Sequence, residues 1–240
     1  MKQLYFLLFF LPGGLVLPLP ALPQSAPADS AFVQQALVHL SQLYTRETGE
    51  NLHLYNGSEY LRGGHGVKGF PFFQSDNMLK GDVYYDGHLY TGIGMQYDLA
   101  EDELIVNDYT GNVSIRLVKN KVSWFMIDGH RFVHIKAGTG LPAAGFYESL
   151  YKGRLGAYAR WQKGTSGTGD NMAGYKLYYT WLLENDGTFI TVESGRAVLM
   201  AAGDKREALE KYIQTNKLNF KKDPAGFLAG TIGYYDQLNH

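Results

Sequence analysis

The apolar and polar positions change period several times along the chain. Residues 31–44 (AFVQQALVHLSQLY) set Phe32, Val33, Ala36, Leu37, Leu40, Leu43 and Tyr44 at helical spacing, with Asp29 or Ser30 able to cap the start and Gly49 just past the end. This predicts an amphipathic helix whose stripe needs a partner surface. Residues 49–77 have no clear period. Gly63, Gly64, Gly66, Gly69 and Pro71 interrupt any regular element, while Phe70, Phe72 and Phe73 demand burial. The expectation is a loop packed over the open edge or end of a sheet.

From about 81 to 200 the period is two. Asp-Gly pairs at 86–87, 128–129 and 186–187 are each flanked by aromatic and β-branched residues, as type I′ hairpin turns require. Alternation runs through Val113, Ile115, Leu117, then Val122, Trp124, Met126. It recurs as Leu155, Ala157, Ala159, Trp161 and as Leu177, Tyr179, Trp181, Leu183. Arg116, Lys119, Arg154, Arg160, Lys176 and Glu184 fall on the opposite faces. A half-buried antiparallel meander of about ten or eleven strands follows. So many strands must curl or close, and Gly92, Gly94, Gly153 and Gly156 supply bend positions. Two helices end the chain: one after an Asp204–Glu207 capping box and stopping at Asn216, the other started by Asp223-Pro224. Gly226, Gly230 and Gly233 in the last helix suit a face lying tight against the sheet. The fold class expected is mainly β (α+β): one strongly curved sheet or barrel, one N-terminal helix and two C-terminal helices, in a single domain over 29–240.

The first 28 residues stand apart. Lys2 precedes the apolar run Leu4–Leu11, a second run spans Leu15–Leu22, and Ala26-Pro27-Ala28 places small residues at a cleavage position. This predicts a secretory signal peptide over 1–28 rather than a membrane anchor, because Pro12, Gly13, Gly14, Pro18, Pro20 and Pro23 break a helical span. After cleavage no transmembrane anchor is expected. Removing the leader takes Lys2 and no acidic residue, so the formal charge moves from −1 to −2 and no basic field exists to hold nucleic acid. Zero cysteine excludes disulfides, thiolate metal sites and a thiol nucleophile, and with export favours a periplasmic or extracellular bacterial location.

Candidate chemistry is sparse. His130 and His134 would share a face of a strand but sit about 13 Å apart, too far to chelate together. His39 and His65 suggest surface positions. Asp98, Glu101, Asp102 and Glu103 read as a solvated hairpin tip. The glycine-rich Lys163–Ala173 loop lacks a phosphate-binding signature and is expected to be a flexible hairpin loop. No serine sits in a nucleophile elbow, so no catalytic residue, metal ligand or cofactor is assigned. What remains is aromatic: 18 Tyr, 13 Phe and 3 Trp. Trp124, Tyr158, Trp161, Tyr178, Tyr179 and Trp181 are the candidate ligand-binding residues. Trp124, Trp161, Tyr179 and Trp181 fall on the apolar phase, and Tyr158 and Tyr178 on the polar one, suited to a sugar platform.

The segments GDVYYDGHLYTGIGMQYDLAEDELIV, GFYESLYKG, KREALEKYIQTNKLNFKKD and YYDQL resemble exported, uncharacterised proteins of Bacteroidetes-type bacteria, over residues 60–238. The resemblance implies envelope localisation and no particular activity. Three functions fit these readings. The first is non-enzymatic binding of a hydrophobic or glycan ligand, or of an envelope protein partner. The second is hydrolysis of a glycan or peptide. The third is an adaptor role for the basic tail carrying Lys205, Arg206, Lys211, Lys217, Lys221 and Lys222.

Overall fold

All three Asp-Gly pairs turn with both residues left-handed: φ is 51° and 86° at 86–87, 49° and 79° at 128–129, and 47° and 76° at 186–187. Only Gly tolerates the second position freely, and Asp is among the residues that accept the first. In the computed structural model, which describes residues 37–38, 53–63, 66–108, 111–166 and 174–239, these turns organise an antiparallel sheet. The expected leader, His39, His65 and the loop tip 167–173 lie outside the described residues, as does the expected N-terminal helix except Leu37 and Val38, which are helical.

The strands are β1 (Ser58–Glu59), β2 (Leu79–Tyr85), β3 (His88–Asp98), β4 (Glu103–Asn107), β5 (Ser114–Arg116), β6 (Val122–Ile127), β7 (His130–Ile135), β8 (Gly145–Lys152), β9 (Gly156–Ser166), β10 (Gly174–Asn185) and β11 (Thr188–Thr191). They form one 11-stranded sheet in the order β1-β5-β4-β3-β2-β6-β7-β8-β9-β10-β11. The sheet is curved and not closed. Three bulges assist the bend: one extra residue in β3 opposite Asp82, one in β6 between the partners of Tyr84 and Tyr85, and one in β8 between Ser149 and Tyr151. Gly92, at φ 66°, sits in the first of them, and its N–H donates to the Asp82 carboxylate at 3.0 Å.

The hollow of the curve is filled. Tyr85, Tyr97, Phe125, Phe132, Phe146 and Phe73 are all fully buried, and the rings of Tyr97, Phe125, Phe132 and Phe146 meet at 5.0–5.8 Å. Each such ring contributes about 1.5–3 kcal/mol on burial. Segment 68–73 spans the hollow between the ends of two interior strands. Phe72 pairs with Asp98 of β3 and Lys68 with Gly174 of β10. Lys163 of β9 donates its backbone N–H to Leu99 O at 3.0 Å and its Nζ to Phe70 O and Phe72 O at 3.0 and 2.6 Å. Of the two expected placements for the aromatic-rich loop, the sheet's end is the one found: Phe72 meets the last residue of β3 and Lys68 the first of β10.

A second core lies on the same face of the sheet. Helix α3 (Pro224–Gln237) brings Phe227, Leu228 and Ile232 against Leu155, Ala157 and Leu183. Asp223 caps it, accepting from Gly226 N–H at 2.8 Å, with Pro224 following as anticipated. Gly233 faces the Tyr151 ring of β8, but Gly230 faces Leu218 in the link from α2 (Arg206–Thr215), so the small face is shared between sheet and helix. Two local expectations are corrected. The stretch after 194 is not strand but helix α1 (Gly195–Ala201), because the Ser194 hydroxyl accepts from Ala197 N–H at 3.3 Å and starts a turn. The N-cap of α2 is Lys205, with no side-chain cap, so the cap falls one residue after Asp204 and the helix begins at Arg206. No helix among the described residues is long and apolar enough to cross a membrane.

Candidate functional site

Register decides which aromatic residues meet. Phe132 pairs with Glu148, Glu148 with Ala159, Trp161 with Tyr179, and Ala159 with Trp181. Directly paired residues share a face, so His130, Glu148, Trp161, Tyr179 and Trp181 line the inner face as a strip. Trp161 packs on the barrel-like core and Trp181 on the helical core, with Tyr179 between them, 44% exposed. The Tyr179 and Trp181 rings lie nearly parallel, 13° apart at 5.5 Å, and Tyr179 meets Trp161 edge-on at 4.8 Å.

Polar groups are built into the strip. Glu148 is 6% exposed, and both its oxygens are engaged: Oε1 accepts from His130 Nδ1 at 2.6 Å and Oε2 from Trp161 Nε1 at 2.7 Å. Gln74 Nε2 lies 3.1 Å from His130 Nε2. Phe73 wedges its ring against His130, Phe132 and Trp161 at 5.1, 5.2 and 4.8 Å. Burial, reinforced by the Glu148 charge, pushes the Tyr179 phenol above its ordinary value. The strip therefore offers a broad ring face, an indole edge and a partly exposed imidazole.

The six candidate residues are divided by the sheet. Trp161, Tyr179 and Trp181 come together in the strip. Tyr158 is on the outer face, buried against Phe189 at 6.0 Å. Tyr178 is on that face too, 45% exposed, with Lys176 Nζ 5.6 Å from its ring centre. Trp124 departs from its expected phase. The bulge in β6 lets Val122 point inward with Phe125 and Ile127, which sends Trp124 and Met126 outward. Outside, Trp124 stacks on Tyr84 at 6.3 Å and lies under the Arg131 guanidinium at 4.1 Å.

His130, Glu148 and Gln74 were not singled out from sequence as a group. One signal was present: Glu148 sits two residues after Phe146 on the apolar phase of β8, a position where a carboxylate needs a donor. His130 and His134 do share a face of β7; burial chiefly, and nearby Lys136, lower the affinity of His134 for a proton. The acidic run is a correction. Asp98 is 2% exposed and accepts from the Tyr60 hydroxyl at 2.7 Å and from the N–H groups of Ala100 and Glu101. Asp102 accepts from Tyr97 OH, Lys119 Nζ and Phe146 N–H, and Glu103 pairs with Arg116 at 2.7 Å. These carboxylates tie the β3–β4 turn to its surroundings instead of being hydrated freely. Comparison with protein-family models, curated proteins and solved structures returns no match.

Proposed function

We propose that this is an exported protein of the bacterial envelope that binds a glycan along the Trp161–Tyr179–Trp181 strip. The leader-like composition of residues 1–28 and the absence of cysteine support export. The carrying observation is the exposed Tyr179 ring, stacked nearly parallel to Trp181 and bordered by the His130–Glu148 pair. A pyranose presents an apolar C–H face to stack on aromatic rings and hydroxyls to meet polar groups at the rim, which is the chemistry this strip provides. The aromatic filling of the curve argues against the alternative of a lipid held inside it.

Isothermal titration and pull-down with peptidoglycan fragments, xylo-oligosaccharides and β-gluco-oligosaccharides test the reading. Tyr179→Ala should weaken the bound sugar about tenfold, roughly 1.4 kcal/mol, with Tyr179→Phe close to wild type. Trp124→Ala, on the opposite face, should leave affinity unchanged. Equal binding by Tyr179→Ala, or no binding by the wild type to any of the three, overturns it.

A further inference from the structure

We infer that the strip is also a hydrolytic centre in which His130 is the general base, removing acyl ester groups from the glycan bound beside it. The inference rests on the glycan reading above and adds a reaction to it.

The hydrogen bonds fix the state of the imidazole. A carboxylate only accepts, so Glu148 Oε1 requires His130 Nδ1 to carry a proton. In the neutral ring Nε2 is then the lone-pair nitrogen, and the Gln74 amide donates to it. Trp161 holds the other Glu148 oxygen, so the carboxylate cannot swing away from the histidine. A base oriented by a buried acid, with its second nitrogen at a partly exposed surface, is the arrangement that activates water or a hydroxyl. The His130 side chain is 32% exposed, against 9% for Glu148.

Gln74 adds a second, independent observation. Its backbone is left-handed at φ 51°, outside the Asp-Gly turns, and its side chain is exposed. Such a conformation costs roughly 1–2 kcal/mol in a residue with a Cβ and concentrates at sites of function. Its amide caps the Nε2 lone pair at 3.1 Å, so the proposed base acts only after an entering water takes the place of that amide.

The same contacts select the bond that breaks. Glycoside hydrolysis needs two available carboxyl groups, one as acid and one as base or nucleophile. Here Glu148 has both oxygens committed. An ester needs only one proton shuttle. Water loses a proton to His130 Nε2 as its oxygen bonds to the acyl carbon. The tetrahedral adduct then expels the sugar oxygen, which takes the proton back from His130. The products are a carboxylic acid and a free sugar hydroxyl, with atoms and charge balanced. Glu148 is a positioning residue that stabilises the transient imidazolium.

The test uses O-acetylated xylo-oligosaccharides, with acetate release followed by NMR and binding by titration. Wild type should release acetate about 100-fold faster than His130→Ala, the scale of general-base catalysis. Added imidazole should restore part of the His130→Ala rate, which a purely structural histidine would not allow. Glu148→Gln should lower kcat with KM little changed. His88→Ala, at an exposed hairpin turn, should match wild type. Tyr179-dependent binding without acetate release overturns the inference and leaves the glycan reading standing. Absence of both binding and release overturns both, and acetate release unaffected by His130→Ala overturns the inference.

Discussion

Tyr97 shows how much a single buried hydroxyl can bind together. Its ring lies among Phe125, Phe132 and Phe146, and its hydroxyl donates to Asp102 at 2.7 Å. Burial foremost, then the Asp102 charge, holds its proton well above the ordinary value near 10. Tyr60 is raised too, by burial first and then by its hydrogen bond to Asp98. The raised folded-state value means stability is fully present below pH 10 and is lost above it, as the unfolded chain ionises while the folded one resists. For Tyr97 the loss should approach 1.4 kcal/mol per pH unit above 10. Urea denaturation between pH 9 and 11 should show that slope in wild type, and a shallower one in Tyr97→Phe. An unchanged slope in the variant would remove Tyr97 as the cause. None of this was legible in the sequence. Asp98 and Asp102 appear there only as neighbours of Glu101 and Glu103, while Tyr60 is 38 residues from Asp98 and Phe146 is 44 from Asp102. A carboxylate's donors are set by the fold and leave no local mark.

Among elements, alternation was readable wherever pairing is regular. Leu155 to Trp161 and Leu177 to Leu183 face inward as their period indicates, and the Asp-Gly turns fall at hairpins. Trp124 was misread because one inserted residue reverses the phase after it, and a bulge at Ser123 has no composition of its own. The bulge has a measurable signature. Deleting Ser123 would force either Val122 or the Phe125–Ile127 pair away from the core, whereas Ser123→Ala keeps the spacing. The deletion should lose at least about 3 kcal/mol in denaturant titration, the burial of one or two large apolar side chains, and the alanine variant should stay within about 0.5 kcal/mol. A deletion variant of near wild-type stability would mean the phase is set elsewhere. The strip depends on similar register information. That Trp161 stands opposite Tyr179, and Glu148 beside Ala159, could not be derived from strand periodicity alone, since period two names a face but not a partner.

At the scale of the molecule, Lys163 of interior strand β9 fastens the curled sheet across its hollow, to Leu99 just past the end of β3 and to segment 68–73. Its ammonium satisfies two carbonyls of segment 68–73 and lies 4.3 Å from the centre of the Phe70 ring; burial lowers its affinity for the proton. Lys163→Met retains the stem but leaves Phe70 O and Phe72 O without that donor. A loss of about 1–3 kcal/mol is expected, lowering Tm by several degrees. Hydrogen exchange should accelerate selectively at the Phe73 and Leu99 amides, which bond across the same junction to Tyr97 O and Pro71 O. Uniform exchange throughout the sheet would show that the lysine is no local fastener. Because Phe73 reaches from this segment to Trp161 and His130, loosening it should also weaken whatever occupies the strip.

The strand order carries a kinetic consequence. Of ten adjacent pairs, eight join strands consecutive along the chain; β2–β6 and β1–β5 do not. The polypeptide is thus two zigzags, β2 to β5 and β6 to β11, welded side by side at β2–β6. Hairpins of low contact order form early, while the weld must bring Val83 to Phe125 across 42 intervening steps of chain. Substitutions there, such as Val83→Ala, should retard refolding in stopped-flow experiments, and an equivalent truncation of a buried residue in the β10–β11 hairpin, such as Leu183→Ala, should chiefly hasten unfolding.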